Sequence, residues 1–224
     1  MSLLAKRAVL GALTLVGLVL LGVGAWFSYH LGPSGSATFT TRPEQGGVVL
    51  VQPSVLNRVD RPVTVTARTT GGSQVWLGRA SASDAAAVVG GAQATTVSGV
   101  RVGAWSLETD LAGSGSAPGL AASDVWRQTA AGAGTVRLRV EQAQAPEALV
   151  VATPDGSPAA LEGLTVTIQS RTWFFQALLL GLVGLLAAAA GLAGLWHWRR
   201  RPGAGVGADV PPAPDQTRSE EVAA

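Results

Sequence analysis

Residues 173–198 read WFFQALLLGLVGLLAAAAGLAGLWHW, and Arg199, Arg200 and Arg201 follow without a break. No Asp, Glu, Lys or Arg interrupts the run. About 20 helical residues at 1.5 Å each cross ~30 Å of hydrocarbon, so the run predicts a transmembrane helix. Positive residues beside a span mark its cytoplasmic end, which puts the C-terminal side inside.

Residues 8–29, AVLGALTLVGLVLLGVGAWFSY, form a second such run, preceded by Lys6 and Arg7. The two charge clusters agree on one topology. Residues 1–7 are expected to be cytoplasmic, 8–29 to span, 30–172 to be extracytoplasmic, 173–198 to span, and 199–224 to return inside as a disordered, Pro- and Ala-rich cytoplasmic tail. This is a multi-pass plasma-membrane plan with the lipid bilayer as first partner. A cleaved signal peptide is the alternative for the first run. It is longer than the usual hydrophobic region, although small residues (Gly35, Ser36, Ala37) follow it. Trp26, Phe27 and Tyr29, and Trp173, Phe174 and Phe175, suit the outer interface; Trp196 and Trp198 suit the inner one.

Between the spans the chain alternates. In PVTVTAR (62–68) valines share one face and threonines the other; in TVRLRVE (135–141), Val136, Leu138 and Val140 face in while Arg137 and Arg139 face out. Further strands are expected at 37–41, 48–52, 74–79, 99–109, 125–129, 148–153 and 164–169. Turns are expected at Gly71-Gly72, Gly90-Gly91, 132–134 and Pro154-Asp155-Gly156. Ser83-Asp84 is expected to cap a short helix over 85–89, and 112–119 reads as a surface loop. The fold class is mainly β: a β-sandwich-like domain, jelly-roll or Ig-like, flanked by two transmembrane helices.

Net charge is +2 with a sequence pI near 9.9. From 31 to 172, however, ten arginines match ten Asp and Glu residues. The excess sits at the membrane ends, so no basic face for nucleic acid is indicated. With no cysteine, and with His30 at the membrane edge, the domain lacks Ser-His-Asp, Cys-His and His-zinc chemistry. Glu108 and Asp110 share a strand face and could serve glycoside hydrolysis or calcium; solvated residues with arginine partners is the favoured reading. No catalytic, metal or cofactor residue is assigned. Without a charge inside either span, a channel or transporter is not indicated.

Two features are candidates for binding. Ala177, Gly181, Gly184, Ala188 and Gly191 line one side of the second span, with a weaker counterpart in Thr14, Gly17, Gly24 and Ser28. Small residues let helices approach closely. They serve either a partner helix or the chain's own first span, the second being favoured. Trp76, Trp105 and Trp126 are core residues or a stacking platform. Core packing is favoured, with Trp126 beside Arg127 the surface candidate.

The chain resembles a group of uncharacterised actinobacterial membrane proteins with two transmembrane helices flanking an extracytoplasmic β-domain. The resemblance rests on VWLGRA (75–80) before Ser83-Asp84-Ala85, on Trp126 before the Gly132-Ala133-Gly134 turn and the strand after it, and on VVATPDGS (150–157). It covers roughly 60–195 and departs at Thr153-Pro154. It implies architecture only. The expected function is a non-enzymatic cell-envelope protein whose β-domain binds or scaffolds a membrane or envelope protein partner. The alternatives are a transmembrane sensor and a glycan- or lipid-binding module, and a second copy of the chain is a further candidate partner.

Overall fold

The computed structural model describes residues 3–43, 47–117, 119–141, 146–154 and 161–199. The tail from 200 on and the Asp155-Gly156 turn lie outside the described residues. Two 29-residue helices, α1 (Leu3–Leu31) and α4 (Arg171–Arg199), flank a mainly β domain. Both are long and apolar enough to cross a membrane.

The strands are β1 (Ser36–Thr41), β2 (Val48–Val51), β3 (Val63–Thr69), β4 (Gln74–Ser81), β5 (Ala94–Arg101), β6 (Ser106–Ala112), β7 (Gln128–Ala133), β8 (Thr135–Val140), β9 (Glu147–Ala152) and β10 (Leu161–Gln169). They form one ten-stranded sheet in the order β7-β4-β9-β2-β5-β6-β1-β10-β3-β8. Two parallel joins, β2 with β5 and Thr40 with Ser106, link what would otherwise be separate antiparallel groups. The ends of the order, β7 and β8, are consecutive in the chain. Gly134 turns between them at φ +76°, its N–H donating to Ser73 O and its carbonyl accepting from Thr69 N–H. The sheet is therefore nearly closed.

Alternation places the core. In β3, β8 and, from Leu164 on, β10 every second residue is buried, so Val63, Val65, Leu138, Val140, Val166 and Ile168 fill the interior. β9 is buried at all six positions. Leu149 and Val151 join that interior, while Ala148, Val150 and Ala152 face a second cluster outside the sheet. There, helix α3 (Ala82–Val89), Leu120, Trp76 and Trp126 cover the strands.

Several local expectations shift. The run 99–109 is not one strand. It is the end of β5, a turn through Val102-Gly103-Ala104-Trp105 and the start of β6. Arg101 O accepts from Ala104 N–H, and Trp105 sits at φ +50°, so the chain reverses there. Helix α3 starts earlier than expected because Ser81, not Ser83, caps it: its hydroxyl accepts from Asp84 N–H at 3.1 Å. The strand expected at 125–129 begins at Gln128 and carries on through Gly132, leaving Gly134 alone to turn. A short helix, α2 (Pro53–Leu56), follows β2 with Pro53 in its first turn. Part of the loop expected at 112–119 is held: Gly115 bridges Ala92.

Candidate functional site

The small-residue face of α4 is occupied by α1. A Cβ on Gly24 would collide with Gly181 and stand 2.8 Å from Ala177 O; one on Gly17 would meet Gly184 O at 2.8 Å. On the facing side, Gly184 abuts Gly17 O and the Leu20–Leu21 backbone, and Gly191 abuts Thr14 and Leu10 O. Ala188 is buried at 3% exposure. Glycine is required here because backbone meets backbone. Leu15, Leu18, Leu182 and Leu186 remain exposed on the outer faces.

The helices meet the sheet at a tight junction. Gly32 and Gly35 turn the chain out of α1 at φ +60° and +65°. Ser170 N–H donates to Gly35 O at 2.9 Å just before α4 begins. The β5–β6 turn reaches the same end and presents Trp105. Its ring stacks on Phe39 (centroids 5.4 Å apart) and on His30 (5.1 Å, 2° between planes), and lies 5.8 Å from Trp26. A non-glycine residue at positive φ carries strain, on the order of 1–3 kcal/mol, which this aromatic packing offsets.

Beneath Trp105 lies a cavity of about 500 Å³. Three parts of the chain wall it: the helix ends (Phe27, Leu31, Trp173, Gln176, Ala177, Leu180), the foot of the sheet (Ala37, Phe39, Val100, Ile168) and the loop residues Arg58, Val59, Val102 and Trp105. The lining is almost wholly apolar and the volume is that of a small-ligand site. Three polar side chains, Arg58, Gln176 and the Trp105 indole, break the pattern. Arg58 is exposed on the loop before β3 and, among the described residues, has no ion-pair partner. Trp105 Nε1 is buried and, among the described residues, has no acceptor. A buried N–H without an acceptor is uncommon and costs about 1–3 kcal/mol.

Of the binding candidates singled out from sequence, Trp105 and Ala177 line this cavity and the others lie elsewhere. Trp126 is half-buried, with its ring edge-on to Trp76 at 4.8 Å and its Nε1 donating to Leu120 O at 2.6 Å. The indole is held inward, although its neighbours Asp124 and Arg127 are exposed. Arg127 pairs with Glu147 at 3.1 Å, and Arg79 pairs with the other oxygen of the same carboxylate, also at 3.1 Å. This buried Glu147 ties β4 and β9 to the segment that leads into β7.

Glu108 pairs with Arg101 at 3.3 Å, and Asp110 accepts from Ser98 Oγ at 3.4 Å. Both carboxylates are engaged by neighbours on the solvent side of the β5–β6 hairpin. Among the described residues no three His, Asp or Glu side chains gather as metal ligands would.

Sequence reasoning favoured a core role for Trp105 over a binding one and did not single out Arg58 or Val102. The available signal was Gly103, which breaks the alternation of 99–109 and marks a turn. No protein-family model, curated protein or solved structure matches the chain.

Proposed function

We propose that this chain is a non-enzymatic cell-envelope membrane protein that binds a membrane amphiphile in the cavity at the foot of its β-domain. In this reading α1 and α4 span the plasma membrane and both termini are cytoplasmic. The charge clusters at residues 6–7 and 199–201 support that orientation. The β-domain then stands outside, in the plan implied by the resemblance to actinobacterial membrane proteins.

One observation carries the proposal: an apolar cavity of about 500 Å³ walled jointly by the helix ends and the sheet. In a bilayer those helix ends sit at the hydrocarbon–headgroup boundary. An apolar cavity at that depth is open to acyl or isoprenoid chains without any crossing of water. The aromatic residues there, Trp26, Phe27 and Trp173, suit the same depth.

A scaffold for a membrane protein partner is the other reading. It draws no support from the small-residue face, which is packed against α1 rather than open to a partner helix. The test is lipid retention. The chain purified from its native membrane in mild detergent should carry about one lipid per protein, counted by native mass spectrometry. Val102→Trp, at a 39% exposed cavity wall, should remove it by filling the space. A dominant protein partner without retained lipid would favour the scaffold and refute the lipid reading.

A further inference from the structure

The cavity is apolar inside; of its three polar side chains, Arg58 and the Trp105 indole are donors only, and Gln176 carries an amide that can donate or accept. Arg58 brings a guanidinium to the wall, and Trp105 brings an indole N–H that has no acceptor among the described residues. Guanidinium and N–H donors together match a phosphate oxygen better than a hydroxyl or an amine.

The surrounding charge has the same sign. Arg61 lies on the same loop as Arg58, just before β3, and Arg171 opens α4. Val63 of β3 pairs with Ile168 of β10, so the two segments emerge at one end of the sheet. Among the described residues none of these three arginines makes an ion pair, and Asp60 is the acidic residue within that loop. Arg171 also stands at the outer end of its span, where the charge rule for spans does not call for a cation. A cationic rim beside an apolar cavity attracts lipid of opposite charge.

We propose that the cavity selects an anionic phospholipid, one acyl chain entering between the helix ends and the sheet while its phosphate meets Arg58 and Trp105 Nε1. This rests on the reading of the cavity as an amphiphile site and adds the headgroup class. A zwitterionic phospholipid offers the same phosphate, but its ammonium meets the cationic rim unfavourably. Selection between the two therefore comes from net charge.

The experiment uses the full chain, delipidated in detergent and mixed with equal amounts of phosphatidylglycerol and phosphatidylcholine of the same chain length. Native mass spectrometry counts the lipid retained. The wild-type chain should hold one lipid and prefer phosphatidylglycerol at least fivefold. Arg58→Gln should bring the preference within twofold. Trp105→Phe keeps one aromatic ring, removes the N–H with the rest of the indole, and should weaken retention of both lipids. Arg58 is exposed and Arg58→Gln is expected to fold, which near-ultraviolet circular dichroism checks.

Equal retention of the two lipids by the wild-type chain would overturn the headgroup assignment while leaving the cavity reading in place. An undiminished preference in Arg58→Gln would overturn the role of Arg58. Undiminished retention in Val102→Trp would overturn the cavity reading itself.

Discussion

Gly184→Leu tests whether the two helices are locked through their small residues. A Cβ at Gly184 would collide with Leu21 N, and would lie 2.7 Å from Gly17 O and 2.9 Å from Leu20 C, where ordinary contacts lie at 3.4–4 Å. All three neighbours are backbone atoms, so no rotamer change relieves the clash. The helices must separate by on the order of 1 Å, and close packing is the main force that joins helices in lipid. Overpacking of this kind costs about 1–3 kcal/mol. That lowers the ratio of packed to splayed helices roughly 5- to 150-fold. The control is Gly22→Leu on α1, where nothing lies within 4 Å of the added Cβ. The chain has no cysteine, so an introduced pair gives a clean reporter. A Cβ on Gly194 falls 3.4 Å from Leu10 Cγ, the atom a cysteine sulfur would replace. Leu10→Cys with Gly194→Cys should therefore form an intramolecular disulfide under mild oxidation. Adding Gly184→Leu should cut its yield sharply, and adding Gly22→Leu should leave it unchanged. Equal yields in the two backgrounds would refute the packing argument. A product of doubled mass would instead assign the small face to a second copy of the chain.

Gly35→Ala should lower thermal stability by more than ~2 kcal/mol, because φ +65° is strained for alanine and its Cβ would strike Ser170 and lie 2.9 Å from Arg171 Cα; a melting temperature unchanged in detergent would contradict this. Glu147→Gln should cost about 2 kcal/mol, below the 3–5 kcal/mol of a fully buried pair, since the Arg127 side chain is 51% exposed and the Arg79 side chain 18%; denaturant unfolding of the purified chain measures it, and a cost near zero would mean the bridge is immaterial. Trp126→Phe should cost about 1–2 kcal/mol by leaving Leu120 O without its indole donor, and should leave binding of soluble glycans unchanged; a glycan affinity lost without loss of stability would restore Trp126 as a stacking platform. Replacing Glu108 and Asp110 together by Ala should shift stability by less than ~0.5 kcal/mol, as expected of solvent-side pairs; a larger shift, or loss of a cellular phenotype at unchanged stability, would reopen a site there.

Periodicity was enough to read the strands with one solvated face. TVRLRVE alternates because Val136, Leu138 and Val140 point into the sheet's interior while Arg137 and Arg139 do not, and the same rule found β3 and β10. It gave less where both faces are covered. β9 is buried at every position, and after Glu147 its sequence is continuously apolar and does not say which residues face the interior and which face α3. The single sheet was harder still. Its order depends on two parallel joins between segments far apart in sequence, and alternation carries no information about which strand lies next to which.

The cavity was illegible for a related reason. Its walls come from the end of α1, the foot of β1, a loop before β3, the β5–β6 turn and the start of α4. Each contributes two to four residues, and alone each reads as something ordinary: an interfacial aromatic, a core valine, a surface arginine. Trp105 shows how the meaning is assembled. As part of an unbroken strand it would be one more core tryptophan with its N–H paired. The turn at Gly103 instead carries it to the helix junction at positive φ, where rings from α1 and β1 hold it and its N–H is left without an acceptor among the described residues. An unmet donor beside the apolar cavity that the helices and sheet share is a cost that aromatic packing, which offsets the strain, does not remove. A bound phosphate oxygen would remove it, which is why retention of lipid by Trp105→Phe separates a binding role for this residue from a purely structural one.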